Sequence, residues 1–109
     1  MLEMHLKYAN LENIDQSNGY QHMYQMFLIC FAKSHVNKHI SRVCSNSLAK
    51  GKNLLMTRVG NKGGLCYSFA LKNQIFNIIG CHLQHKAEKQ DKRNKMSREL
   101  VEEMKMQEL

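Results

Sequence analysis

The densest unusual segment of the chain is Val59-Gly60-Asn61-Lys62-Gly63-Gly64. Three glycines around one lysine serve either as a turn feeding a strand or as a place where backbone approaches a charged group closely, with Lys62 beside it. The spacing excludes two familiar phosphate loops. No Gly-Lys-Ser/Thr follows at Walker A distance, and Lys62 occupies the second glycine position of G-x-G-x-x-G. His82 lies near the end of the apolar run Ile75–Leu83. It reads either as a hydrogen-bonded core histidine or as a catalytic group emerging at a strand end. Cys81, His82 and His85 lack the second paired spacing that zinc uses. His35 and His39 are spaced as in H-E-x-x-H, but Val36 stands where the general base is needed. No serine carries a nucleophile-elbow context. Arg93-Asn94 opens the C-terminal helical segment among Lys89, Lys92, Lys95 and Arg98. Basic side chains and unpaired N–H groups at a helix start can converge on an anion, although a solvated basic surface explains the same residues.

Strands followed by a helix must position these groups. Residues 23–32, MYQMFLICFA, are almost all apolar and predict one strand buried on both faces. Ile40 and Val43 suggest a short strand within the polar stretch 34–53, and 54–59 another extended piece. Over 65–71, Leu65, Tyr67, Phe69 and Leu71 alternate with Cys66, Ser68 and Ala70. Lys72-Asn73-Gln74 breaks the pattern, with Asn73 suited to positive φ, and 75–83 resumes it, so the two strands read as a hairpin. The second is again apolar enough to be covered on both sides. In the last twenty residues Met96, Leu100, Val101 and Met104 form one apolar helical stripe. Residues 1–19 show a weak helical pattern at Leu2, Leu6, Leu11 and Ile14, then a Ser17-Asn18-Gly19 turn.

Composition bounds the rest. A chain of 109 residues allows one small domain, and 43% hydrophobic residues are enough for a core. Zero proline, where about five are usual, excludes collagenous and Pro-rich chains. No apolar run approaches the ~20 residues of a membrane span, and the first ten residues lack an apolar signal-peptide core. Cys30, Cys44, Cys66 and Cys81 form no C-x-x-C pair, and three lie in apolar runs. They read as buried free thiols, which favours a reducing, cytoplasmic compartment. The net charge is +7, and no carboxylate occurs from Gln16 to Ala87 although nine Lys and Arg do. Such a stretch is either an ordinary solvated surface or complementary to phosphate, nucleic acid or an acidic lipid surface. It also provides no carboxylate ligands for a hard cation such as Mg²⁺.

The order of these parts is more specific than any one of them. An apolar stretch, GNKGG at 60–64, a strand, a polar turn, a strand "F-N-I-I-G-C-H-L" and then "K-R-N" closely resembles the inositol polyphosphate 5-phosphatases of the endonuclease/exonuclease/phosphatase superfamily. The resemblance runs from about residue 20 to 101. It implies an α/β class, part of a two-sheet α/β sandwich with strands followed by a C-terminal helix. Residues 1–19 would then flank an incomplete catalytic domain at 20–109. It implies Mg²⁺-dependent removal of the 5-phosphate from phosphoinositides or inositol polyphosphates. Phosphoinositide or inositol phosphate is then the substrate, peripheral membrane contact is possible, and nucleic acid is disfavoured. By the same resemblance His82 contacts the scissile phosphate, Arg93 and Asn94 lie on the substrate side, and Asn61 and Lys62 border the active site. The family's metal-binding Asn and Glu and its water-activating G-D-x-N have no match here, and His82-Leu83-Gln84-His85 stands where "H-L-A-A" is usual. The segment therefore reads as the middle of a phosphatase domain, with no metal residue of its own and no activity in isolation. A noncatalytic basic module binding phosphoinositide or nucleic acid is the other reading.

Overall fold

A computed structural model describes residues 9–23, 25–50, 53–54, 57–58, 62–83, 86–104 and 106. In chain order the elements are β1 (Leu11–Asn13), β2 (Gln21–Met23), β3 (Met26–Leu28), β4 (Phe31–Lys33) and a single turn of helix, α1 (Ser34–Asn37). There follow β5 (Ile40–Ala49), β6 (Asn53–Leu54), β7 (Thr57–Arg58), β8 (Gly63–Leu71), β9 (Gln74–His82), a 3₁₀ turn (Ala87–Lys89) and α2 (Gln90–Glu103).

The central sheet has the order β5-β8-β9, antiparallel throughout. Its middle strand is buried on both faces from Gly63 to Ala70, which explains why it is apolar at nearly every position. Residues directly paired across antiparallel strands share a face. On one face Tyr67 and Phe69 pack with Ile14, and Leu28, Cys30, Ala32, Ile40 and Val43 close around them. On the other, Cys66 packs under Leu100 and Met104 of the C-terminal helical segment, with Leu48, Ile79 and Leu83. The class is α/β as expected: strand ribbons on one side of a sheet and a C-terminal helix on the other.

The hairpin forms with Leu71 opposite Gln74, in unbroken register to Gly63 opposite His82. Its positive φ falls on Lys72 (57°), not on Asn73. Four expectations need correction. The run 23–32 is not one buried strand. Met23 pairs back onto Met26, and a second break at residues 29–30 separates β3 from β4. The reversal includes Gln25, the polar residue interrupting that run, and Phe27 is left 72% exposed. Second, β9 is an edge strand of the described sheet and largely exposed, with Phe76 and Ile78 about 40% accessible, because only β8 flanks it. Third, Ile40 and Val43 belong to a ten-residue strand. It bulges between Ser41 and Cys44, with Arg42 at φ 54°, and so escapes a simple period-two reading. Fourth, Leu11 begins β1, paired with β4, and Ile14 enters the core, so the helical pattern there is not realised. Residues 1–8 lie outside the described residues.

A turn forms over Asp15–Asn18, two residues ahead of the expected Ser17-Asn18-Gly19, with the Asn18 N–H donating to the Asp15 carbonyl (2.9 Å). Residues 54–59 include the end of a short hairpin in which Leu54 pairs with Thr57. The four cysteines are thiols, but only Cys66 is buried, while Cys44 and Cys81 are exposed on the two edge strands. Among the described residues no helix is long and apolar enough to cross a membrane.

Candidate functional site

The site grows from the open end of the β8–β9 hairpin. Gly63 begins β8 directly opposite His82, the last residue of β9. Lys62 immediately precedes that rung, and its ammonium Nζ lies 3.1 Å from His82 Nε2. An ammonium can only donate, so Nε2 accepts and the ring proton belongs on Nδ1. Lys62 carries two further N–H donors beyond this bond. A lysine and a histidine 20 positions apart in sequence thus form one basic constellation at a strand end.

Two backbone features hold it. Gly63 has φ +137°, and a Cβ there would fall 2.0 Å from the Leu48 carbonyl oxygen. Only glycine lets β5 and β8 meet this closely. The close approach allowed by the GNKGG glycines is therefore made, at Gly63, to a neighbouring strand's carbonyl. One step beyond the last β5–β8 pair, the Lys50 N–H donates to the Lys62 carbonyl (2.8 Å).

Lys50 itself is neutralised. Its Nζ lies 2.7 Å from Glu99 and 2.6 Å from Glu103, both on α2, and its side chain is only 11% exposed. Hydrogen bonds, first to Glu103 and then to Glu99, hold its pKa above the ordinary lysine value. This explains the charge order of α2, acidic toward its C-terminus against the macrodipole. The acids there bind a specific cation of the sheet. Sequence reading missed Lys50, Glu99 and Glu103 as a group. The available signal was that inverted charge order together with a lysine just after a strand.

The other residues singled out divide as follows. Asn61 lies outside the described residues. The half-buried Arg93 donates to the Lys86 carbonyl (2.6 Å), tying the first turn of α2 to the segment before it. Asn94 is exposed. The helical segment reaches the sheet where Leu100 and Met104 meet Gly64 and Cys66. His82, paired with Gly63, shares the register face of Leu65 and Tyr67, which is the opposite one. The structure thus brings Lys62 and His82 together, while Arg93 and Asn94 lie near the start of α2, whose C-terminal end packs on the face opposite His82. His85, of the Cys81-His82-His85 grouping, lies outside the described residues.

A cavity of about 310 Å³, lined by Gln25, Met26, Phe27, Leu65, Gly80 and Cys81, lies between the β2–β3 ribbon and the end of β9. Among the described residues no group of three or more His, Cys, Asp or Glu could hold a metal. Amine and imidazole nitrogens do not fit Mg²⁺, which demands oxygen. The arrangement can bind and orient an anion through N–H hydrogen-bond donors.

Comparison with known proteins identifies the family. Endonuclease/Exonuclease/phosphatase family 2 matches residues 7–109. The type II inositol 1,4,5-trisphosphate 5-phosphatase of Mus musculus is 29% identical over 79 residues, covering 72% of this chain and 8% of that protein. The phosphatidylinositol 3,4,5-trisphosphate 5-phosphatase 1 of Xenopus laevis is 32% identical over 74 residues, 68% of this chain and 7% of that protein. The chain thus spans less than a tenth of the length of these relatives. Its sheet-and-helix arrangement is a partial α/β fold of the endonuclease/exonuclease/phosphatase type, and its sequence is inositol polyphosphate 5-phosphatase-like. The chain belongs to Endonuclease/Exonuclease/phosphatase family 2.

Proposed function

We propose that this chain is the phosphate-binding segment of a phosphatase that removes the 5-phosphate from phosphoinositides or inositol polyphosphates. The observation that carries the reading is the Lys62–His82 pair, 3.1 Å apart at the end of a strand pair, in a stretch without carboxylates. Lys62 and His82 contact the phosphoryl oxygens. Fixed donors of this kind stabilise the negative charge that develops on those oxygens in the transition state. Asn61, Arg93 and Asn94 belong to the substrate side by family resemblance. Substrates of this kind are supported by the names of both relatives, which are inositol trisphosphate and phosphatidylinositol trisphosphate 5-phosphatases.

Mg²⁺ would polarise the phosphoryl group, as the family resemblance implies. Among the described residues no cluster supplies its ligands. Because the family's metal-binding and water-activating carboxylate motifs have no match in the sequence, the 109-residue chain binds phosphate groups without hydrolysing them. A cytoplasmic setting with peripheral membrane contact fits a phosphoinositide substrate.

Titration with inorganic phosphate, followed by NMR of the His82 ring and the Gly63 amide, tests the site. Both signals should shift saturably in the wild type and not in Lys62→Met. Absence of any shift overturns the reading. Phosphate release from a phosphoinositide by the isolated chain with Mg²⁺, lost in His82→Ala, would overturn the inactivity.

A further inference from the structure

We propose that Lys50 is a positioning residue for the Lys62–His82 pair, acting through the Lys62 backbone and held in place by Glu99 and Glu103. The inference rests on the phosphate-binding reading above and assigns a device for maintaining that site.

Lys50 makes two kinds of contact at once. Its ammonium is clamped by two carboxylates four residues apart on α2, at 2.7 and 2.6 Å. Its amide N–H holds the carbonyl of Lys62 at 2.8 Å. Lys62 in turn reaches His82 at 3.1 Å. The chain of contacts therefore runs from helix to β5, from β5 to Lys62, and from Lys62 to His82.

The position explains why a clamp is needed. The Lys50–Lys62 bond lies one step past the last β5–β8 pair, Ala49 with Gly63. The next described pair, Asn53 with Arg58, belongs to the short β6–β7 ribbon, so this rung lies at the junction of two ladders. A rung that frays would release Lys62 from its place beside the imidazole. Anchoring Lys50 to the helix adds support from outside the sheet. The anchor is firmer than an ordinary surface ion pair, since one cation meets two carboxylates and the lysine side chain is largely buried.

The clamp has an electrostatic side as well. Lys50 and Lys62 are backbone neighbours, and two unneutralised ammoniums would repel each other. Glu99 and Glu103 more than offset the charge on Lys50 and leave Lys62 as the cation presented to His82. Glu99 also approaches Lys95 at 3.8 Å, a weaker i,i+4 contact along the exposed helix surface.

The test compares Lys50→Met, Lys50→Arg and the milder Glu103→Gln in the 109-residue chain. Amide hydrogen exchange at Lys50 reads the rung directly. Inorganic phosphate titration, followed at the His82 ring, reads the site. Lys50→Met should speed exchange at residue 50 by at least tenfold and weaken phosphate binding severalfold. The amides of Tyr67 and Phe69, in the middle of β8, should be unaffected. Lys50→Arg should restore both readouts, and Glu103→Gln should give an intermediate effect. Unchanged exchange at residue 50 in Lys50→Met and Glu103→Gln overturns the proposal, as does faster exchange with undiminished phosphate binding. A uniform rise in exchange across β8 would show general destabilisation and also overturn it. If the wild type binds no phosphate, the functional reading fails, and the exchange arm alone decides whether the clamp exists.

Discussion

Replacing Gly63 by alanine should be among the most damaging single-methyl additions in this chain. The new Cβ would lie 2.0 Å from the Leu48 carbonyl oxygen and 3.1 Å from the Ala49 Cα. Both neighbours are backbone, so no side chain can rotate away. The residue would also be held at φ +137°, where an L side chain is strained by about 1–3 kcal/mol. Relief requires β5 to move off β8 at this end. That movement opens the Lys50–Lys62 bond and loosens the Ala49–Gly63 pair, at about 1 kcal/mol for each hydrogen bond lost. Together the cost is about 3 kcal/mol or more, a large share of the 5–15 kcal/mol that holds a typical domain. Gly64→Ala is the matched control. Its Cβ would meet Leu100 Cδ2 at 3.1 Å and Met104 Cε at 3.3 Å, both ends of flexible side chains, with the Gly80 carbonyl oxygen at an ordinary 3.4 Å, and should cost about 1 kcal/mol, the low end for overpacking. Urea denaturation followed by tyrosine fluorescence gives both values. Equal losses for the two variants would refute the argument that backbone approach at Gly63 sets the site.

Further outcomes follow from the core and the sheet edge. Tyr67, 1% exposed, donates to Asp15 at 2.7 Å, so Tyr67→Phe should cost about 1.5 kcal/mol by denaturation without altering phosphate binding. Burial, then the Asp15 contact, pushes the Tyr67 phenol up to about 12. Its contribution to stability is therefore complete below pH 10, the unfolded value, and should fade between about pH 10 and 12, as pH-dependent unfolding would show. Asp15 is shifted down, chiefly by the Ser17 hydroxyl and then by Tyr67, so its contribution is present above its unfolded value and is lost as acid carries the pH down through the folded one. The edge strand β9 carries no charged residue among 74–81 and exposes Phe76 and Ile78, so the isolated chain should self-associate with concentration. Ile78→Lys should reduce that association in sedimentation velocity, and a monodisperse wild type melting sharply would contradict it.

Much of the central architecture was legible because local signals agreed there. The glycine pair at 63–64, the alternation over 65–71 and the polar break at 72–73 specify one hairpin, and its register carries Lys62 to His82 without further information. Of the stripe Met96, Leu100, Val101 and Met104, Leu100 and Met104 found the sheet, whereas Val101 is 57% exposed. Elsewhere the signals were ambiguous. An apolar run looks the same whether it is one buried strand or two short ribbons lying over a core, and 23–32 proved to be the second. Apolar content in β9 suggested burial, but exposure depends on what lies beside a strand, which its own residues do not encode. The bulge at Arg42–Val43 hid a ten-residue strand. The Lys50 clamp joins residues about 50 positions apart, and no short-range pattern reports such a pair.

Arg93 is where resemblance and geometry pull hardest against each other, and a graded set of variants separates them. Family resemblance puts Arg93 on the substrate side. In this structure its guanidinium donates to the Lys86 carbonyl at 2.6 Å, in a helix whose C-terminal end packs on the face opposite His82. A charge-assisted bond of this kind contributes about 1.5 kcal/mol, and it fastens a helix start that has no side-chain cap. Arg93→Ala should therefore lower stability by about that amount and fray the first turn of α2. Arg98→Ala, at an exposed position on the same helix, should cost less than about 0.5 kcal/mol. Phosphate binding discriminates further. Lys62→Met removes the ammonium beside His82 and should abolish the response of the imidazole, whereas Arg93→Ala should weaken it by less than threefold in the isolated chain. If Arg93→Ala abolishes phosphate binding while leaving the helix start intact by amide exchange, Arg93 acts on the anion directly, and the face argument made from the β8–β9 register is wrong.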